Sequence, residues 1–337
     1  MHDAAPYLDR EAGVERACAL IDEAAAQGAR IIVFSETYLP GYPYWIWSHT
    51  PKEAAPLFAE LYENSIVLPS DATDRIGEAA ARARAWVVIG MDEREGGTLY
   101  NTLAYFSPNG SLVARHRKLH PTNAERTVWG QGDGRDIFAI DTEFGRLGGL
   151  ICFEHTMDLA AYAMASFGEQ IHVAVWPAIN ATHADPNSDD FDHYSTTLAS
   201  SYAIRNQCFV IVVQGRISQE IIDKLAISDP GKLPTLGGGM SGVMGPNGRW
   251  VQPPHRDDEG VVCVDIDLST IAYAKFFADS AGHYARPDVF SFGINHTPRK
   301  PLTNQSVGSR PGMFTAADAD DDPSFDLLVT APAQQRA

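Results

Sequence analysis

Between Arg10 and Gln27 the small or apolar positions Val14, Ala17, Cys18, Ile21, Ala24 and Ala25 recur at steps of three and four. That period predicts an amphipathic helix, with Gly28 just past its end as the residue that leaves the helical turn. The run Arg30–Ser35 that follows is short, β-branched and almost continuously apolar, as a strand buried on both faces should be. The order then repeats: a helix over Asp71–Arg84, capped by Ser70 or Asp71, leads into the apolar strand Trp86–Ile89.

Strand-like runs at Tyr100–Phe106 and Leu112–Leu119 flank Ser107-Pro108-Asn109-Gly110, and Met240–Met244 precedes Pro246-Asn247-Gly248. Asn-Gly supplies the positive φ angles of tight turns, so antiparallel hairpins should join the sheet. Further strands are predicted at Arg146–Ile151, Ile171–Trp176, Phe209–Gln214 and Val261–Ile266. Helices are predicted at Leu159–Phe167, Tyr194–Arg205 and Ser269–Ala278. Helices alternating with buried strands make this an α/β chain. The periodicity fades beyond about Thr297, and residues 311–337 mix five Asp with Ala, Pro and Gln, the composition of a mobile tail.

Composition narrows the function classes. The 337 residues are 45% apolar, 20% charged and 10% aromatic, with a net charge of −17, the profile of a globular protein. Such acidity opposes phosphate binding, so nucleic acid is not an expected partner. No run approaches the roughly 18 apolar residues that span a bilayer, and Met1-His2-Asp3-Ala4 has no leader-like pattern. A cytoplasmic protein is expected. Cys18, Cys152, Cys208 and Cys263 are scattered, without paired zinc or redox spacing, and are expected to be reduced thiols.

Three reactive side chains end, or lie late in, strand-like runs: Glu36 after Ile31–Ser35, Lys118 within Val113–Leu119, and Cys152 after Leu147–Ile151. Strand ends are where open α/β sheets assemble their sites. Taken singly, Cys152 also fits a small buried apolar residue, Glu36 a surface carboxylate, and Lys118 in Arg115-His116-Arg117-Lys118 a solvated strand face. The other cysteines read as structural. Phosphate-loop, zinc-protease and G-x-S-x-G motifs are absent, and His116-x-x-x-His120 lies in a strand-like run where i and i+4 are about 13 Å apart. Neither a metal nor a cofactor is expected.

Several segments together resemble the nitrilase branch of the carbon–nitrogen hydrolase superfamily. They are Phe34-Ser35-Glu36-Thr37-Tyr38-Leu39-Pro40-Gly41-Tyr42-Pro43, Arg117-Lys118-Leu119-His120-Pro121-Thr122, Glu125-Arg126 with Trp129-Gly130-Gln131-Gly132-Asp133-Gly134, Cys152-Phe153-Glu154-His155, and Gly282-His283-Tyr284-Ala285-Arg286-Pro287-Asp288-Val289-Phe290. The resemblance implies a four-layer αββα sandwich over residues 1–296, a C-terminal extension over 297–337, and pairing into homodimers or larger spirals. It also implies Glu36, Lys118 and Cys152 as catalytic triad, with Glu125 supporting the site. Tyr42, Trp45, Trp129, Phe153, His155 and Trp176 are candidate substrate contacts, and the aromatic run Tyr42–Trp47 with Phe153 points to a bulky arylaliphatic nitrile. Phe153 stands where many members have Trp. Members open with an apolar strand before the Ala-x-Pro segment, whereas this chain reads Met1-His2-Asp3-Ala4-Ala5-Pro6, so the first strand of the sheet is expected to be missing.

The implied reaction is hydrolysis of a nitrile to a carboxylic acid and ammonia through thioimidate and thioester intermediates on Cys152. An amidase or cyanide-processing enzyme would use the same triad. A non-catalytic assembly protein would keep the sandwich without needing all four of Glu36, Lys118, Cys152 and Glu125.

Overall fold

The computed structural model describes residues 1–178, 190–226, 236–256 and 258–299. The tail expected from 311 onward therefore lies outside the described residues.

Helix α1 (Arg10–Ala26) starts where the Asp9 carboxylate accepts from the Ala12 amide at 3.0 Å, and stops at Gln27, after which Gly28 turns at φ +88°. It is followed by β1 (Ile31–Val33), α2 (Pro51–Asn64), α3 (Asp71–Ala83), β2 (Trp86–Glu95), β3 (Thr98–Phe106) and β4 (Leu112–Arg117). The second half runs β5 (Ile140–Thr142), β6 (Gly145–Ile151), α4 (Asp158–Ser166), β7 (Ile171–Trp176), α5 (Asp190–Asn206), β8 (Phe209–Gln214), α6 (Gln219–Leu225), β9 (Ser241–Met244) and α7 (Thr270–Phe277). These strands form two sheets, ordered β1-β2-β3-β4 and β5-β6-β7-β8-β9.

Side-chain alternation along the strands builds the layers. In the first sheet Ile32, Val87, Ile89, Ala104 and Phe106 pack on Val14, Ala17, Leu20 and Ile21 of α1 and Ile76, Ala79 and Ala80 of α3. The intervening Val33, Val88, Leu103 and Tyr105 face the second sheet, whose other side carries α4 and α5. Helix, sheet, sheet and helix thus stack as expected, with apolar side chains filling the interfaces between the layers.

Three expectations change. Strand β2 runs on to Glu95 because Asp92 and Glu93 are buried and partnered: Asp92 accepts from the Trp129 indole, Glu93 from Thr102, Arg115 and Arg117. His116 and Arg117, read as a possible solvated face, are buried too. Third, Val261–Ile266 forms no strand. A strand needs a ladder partner, and the edge of β1 that could supply one is separated from this segment by a groove of about 430 Å³. Ile31–Val33 and Val261–Leu268 line its sides, with Ile211, Val213 and Val243 also in the wall. At one end the Met1 ammonium donates to the Val33 carbonyl at 2.5 Å and His2 bridges to Gly260. Sequence periodicity did not disclose α2, α6 or β5.

Candidate active site

The ends of β1, β4 and β6 converge where the two sheets face each other. After β1 the chain passes so close to β2 that a Cβ on Gly90 would stand 2.2 Å from the Ser35 carbonyl and 2.5 Å from the Thr37 amide, which delivers Glu36 to the interior. Lys118, one residue beyond β4, donates its amide to Asn101 at 2.8 Å, and its carbonyl accepts from Gly132 at 2.9 Å. A Cβ on Gly132 would strike the Arg117 carbonyl, so the Gly130–Gly134 loop is shaped to lie against this strand end. Cys152 follows β6 at φ +54°, a left-handed turn that opens the short 3₁₀ helix Cys152–Thr156. A non-glycine residue held there marks a local cost that the surroundings must offset.

These ends bring Glu36, Lys118, Glu125 and Cys152 together, all buried. The Lys118 Nζ donates to Glu36 Oε1 at 2.9 Å and to Glu125 Oε2 at 2.7 Å. Glu125 is fixed further by the Thr122 amide at 2.7 Å and the Tyr42 hydroxyl at 2.9 Å, and Glu36 by Asn101 Nδ2 at 2.6 Å. A carboxylate oxygen from each glutamate and the Cys152 sulfur lie within 4.8 Å of one another. Glu36 Oε2 has no hydrogen-bond partner among the described residues.

Burial raises Glu36 to about 7 despite the opposing charge of Lys118, with the negative charge of Glu125 adding to the rise. Burial acts against the Lys118 ammonium, but Glu125 and Glu36 outweigh it and hold its pKa well above the ordinary lysine value. The Cys152 thiol is pushed far up, by burial first and the Glu36 charge second. The resting cluster is therefore a neutral thiol beside a carboxylate poised near neutrality and a permanent cation. Carboxylates and a thiol are donors a metal could use, yet Lys118 already sits on both carboxylates, so the set fits an internal ammonium rather than an added ion.

Glu154, not singled out in the sequence, joins the two strand ends. Its Oε1 accepts from the Leu119 amide at 2.6 Å, and its Oε2 from the Ile151 amide at 2.6 Å and His116 Nε2 at 2.8 Å. His116 Nδ1 meets the Asp136 carbonyl at 2.7 Å. Both ring nitrogens thus face acceptors, which requires an imidazolium. Burial opposes both charges, but their mutual attraction and these hydrogen bonds lower Glu154 and raise His116. Asn101 and Glu154 sit in ordinary strand and turn contexts; only the pairing of distant segments reveals them.

The candidate substrate contacts divide. Tyr42 reaches Glu125, and the Trp129 ring lies 6.0 Å from Lys118 Nζ while its indole N–H binds Asp92 at 2.6 Å. Trp45 is enclosed in an apolar cluster with Tyr7, Tyr44 and Leu61, so most of the aromatic run near Glu36 serves as core. Phe153 is half-buried and packs edge-on against Trp176 and Phe191. His155 is fully buried, stacks on Trp176, and has both ring nitrogens engaged, by the Cys152 carbonyl and by His172. It underlies the Cys152 turn.

The carbon-nitrogen hydrolase family profile matches residues 3–276. A nitrilase of Bacillus sp. (strain OxB-1) is 39% identical over 297 residues, which span 88% of this chain and 86% of that protein. An aliphatic nitrilase of Rhodococcus rhodochrous is 41% identical over 303 residues, 88% of this chain and 79% of the relative. An arylacetone-specific nitrilase of Alcaligenes faecalis is 36% identical over 305 residues, 89% and 85% of the two chains. Among solved structures, a carbon-nitrogen hydrolase from Helicobacter pylori G27 superposes with a TM-score of 0.69 at 22% identity, covering 85% of this chain and 94% of that one. Saccharomyces cerevisiae Nit3 gives 0.62 at 19% identity, covering 84% and 93%. These two share the fold. On the profile match and the extent of the nitrilase identities, the chain belongs to the carbon–nitrogen hydrolase family, in its nitrilase branch.

Proposed function

We propose that this protein hydrolyses organic nitriles to carboxylic acids and ammonia, with Cys152 as nucleophile, Glu36 as general base and acid, Lys118 as electrostatic stabiliser and Glu125 as the group that orients Lys118. The observation that carries the reading is the Lys118 ammonium clamped between two buried carboxylates beside the Cys152 thiol. Glu36 takes the thiol proton as sulfur attacks the nitrile carbon, and returns it to nitrogen to give a thioimidate. Water adds to the thioimidate, ammonia leaves, and the resulting thioester is hydrolysed by a second water that Glu36 deprotonates. Lys118 keeps its proton throughout and faces the negative charge of the tetrahedral intermediates.

The aromatic set Phe153, Trp176 and Phe191 beside Cys152 supports a substrate with an aryl group near the nitrile. Glu36, Lys118 and Cys152 could serve nitriles, amides and cyanide alike, and the relatives named nitrilases favour nitriles. Exposed Leu159, Tyr194 and Ile204 on α4 and α5, and Tyr273, Phe276 and Phe277 on α7, support a homodimer or larger homo-oligomer. Four free cysteines, and no helix among the described residues long and apolar enough to cross a membrane, fit a cytoplasmic enzyme.

The test is ammonia release from aliphatic, aryl and arylaliphatic nitriles, the matched amides, and cyanide. Cys152→Ala, Lys118→Ala and Glu36→Gln should each lose about 10³-fold or more while remaining folded. The acid limb of kcat/KM should rise through pH about 7 as Glu36 becomes able to accept a proton. Nitrile turnover by folded Cys152→Ala would sink the assignment; faster turnover of amides than of nitriles would move it to the amidases.

A further inference from the structure

From the Cys152 carbonyl runs a buried chain of polar side chains that the proposed reaction does not use. His155 Nδ1 lies 2.7 Å from the Cys152 carbonyl, and His155 Nε2 lies 3.0 Å from His172 Nε2. His172 Nδ1 lies 2.8 Å from Glu169 Oε1, and the Tyr202 hydroxyl donates to Glu169 Oε2 at 2.6 Å. All four side chains are fully or almost fully buried.

Proton counting fixes the direction of this chain. A carbonyl only accepts, so His155 carries its proton on Nδ1 and offers Nε2 as a lone pair. His172 must then donate from Nε2, which leaves its Nδ1 bare. A bare nitrogen needs a donor, and the atom 2.8 Å away is Glu169 Oε1. An ionised Glu169 would turn the His172 proton outward and set two imidazole lone pairs against each other at 3.0 Å, unless a second proton charged one of the rings.

We propose that Glu169 is a neutral carboxylic acid at the head of a one-way hydrogen-bond chain, Glu169 to His172 to His155 to the Cys152 carbonyl, and that this chain holds the Cys152 backbone in its left-handed turn. Glu169, His172 and His155 are then positioning residues for the thiol. The groups facing Glu169 allow it. Tyr202 of α5 is a neutral donor, and Tyr105 of β3 and Cys208 beyond α5 are neutral at rest. Among the described residues no lysine or arginine forms an ion pair with Glu169. His116 and Glu154, the charged pair nearby, are committed to each other, and the His116 charge helps keep both His155 and His172 neutral. Burial, opposed by the Tyr202 hydroxyl, raises Glu169 to about 8; burial first and His172 second lower His155 to about 3, against the hydrogen bond to the Cys152 carbonyl.

Glutamine is the discriminating substitution, because its amide nitrogen can donate to His172 and its oxygen accept from Tyr202, the same pattern as the neutral acid. The positioning role rests on Cys152 being the nucleophile, so alkylation of Cys152 by iodoacetamide, followed by peptide mass spectrometry, is read alongside nitrile turnover. At pH 6, Glu169→Gln should alkylate within about twofold of wild type, because every hydrogen bond is kept. Glu169→Ala should lose about 10²-fold through misplacement of the thiol. Wild type should lose alkylation and turnover above pH about 8, and Glu169→Gln should keep both there. ¹⁵N-histidine spectra of wild type should show His155 protonated on Nδ1 and His172 on Nε2. A His172 proton on Nδ1, an imidazolium at either ring, or a Gln variant as impaired as the Ala variant would overturn the proposal. Alkylation that follows the predicted pattern without any nitrile turnover would refute the nitrilase reading and leave the chain standing.

Discussion

Two buried glutamates, Glu154 and Glu169, each meet a histidine nitrogen at 2.8 Å, the first also binding the Ile151 amide and the second reaching the Cys152 carbonyl through His172 and His155. Their charge states differ because their surroundings offer different numbers of donors. Glu154 receives two backbone amides besides His116, whose other nitrogen already faces a carbonyl, so the proton count demands a carboxylate and an imidazolium. Glu169 receives one hydroxyl, and its histidine is met from behind by a lone pair, so the count demands a neutral acid. Identical residue types at identical separation thus give an ion pair in one place and a neutral chain in the other. The ion pair ties the strand end that carries Lys118 to the one that carries Cys152, held by four hydrogen bonds.

The largest effect that would break this contrast is a glutamine swap at each site. In Glu154→Gln one amide hydrogen must point at a backbone N–H, of Leu119 or Ile151, or at His116. A loss of about 3–5 kcal/mol is expected from the damaged buried pair, measured by the shift of the urea midpoint. Glu169→Gln should not lower that midpoint at pH 6. Equal losses at the two sites would erase the distinction.

The pH dependence should also have opposite signs. Glu154 is lowered, so its contribution is present above the unfolded value of 4.5 and lost as pH falls through the folded value. His116 is raised, so its contribution is present below 6.5 and lost as pH rises through the folded value. The pair is therefore fully stabilising between those two values. Glu169 is raised, so its contribution is complete below 4.5 and declines as pH climbs to about 8. Subtracting the melting curve of Glu169→Gln from that of wild type should show a stability difference that falls steadily over that range.

A smaller effect comes from Tyr202→Phe, which removes the hydroxyl that Glu169 accepts from. About 1 kcal/mol should be lost by urea denaturation, with the alkaline limb moving to higher pH, since Tyr202 is the group that favours ionisation. Smallest is Cys263→Ala. That thiol is exposed, outside both networks, and the change should leave stability within about 0.5 kcal/mol and activity unaltered.

How much was legible in the sequence follows from the range of the interactions involved. Helices α1, α3, α4 and α7 and strands β6, β7 and β8 were readable to within a residue at each end, because apolar period and caps are local signals. Helix α2 was not, although Thr50 and Glu53 form a capping box, since Pro56 stands inside it and Leu61 is the one residue it buries. Strand β2 was cut short because Asp92 and Glu93 look like a strand's end until Trp129, Arg115 and Arg117 arrive from elsewhere. Val261–Ile266 failed in the opposite way. It has the composition of a strand, but no backbone ladder reaches it across the groove beside β1.

The sequence alone determined the order of helices and buried strands and the acidic body, and, through motifs resembling a known branch, it nominated the four candidate residues Glu36, Lys118, Cys152 and Glu125. These are properties of residue type and short spacing. Only the tertiary structure decided which glutamates are charged, that His155 underlies the Cys152 turn, and that Asn101 and Glu154 belong to the site. A carboxyl's protonation depends on how many donors surround it and how much water is excluded, and the fold draws those donors from strands and turns 3 to 83 residues apart in the chain.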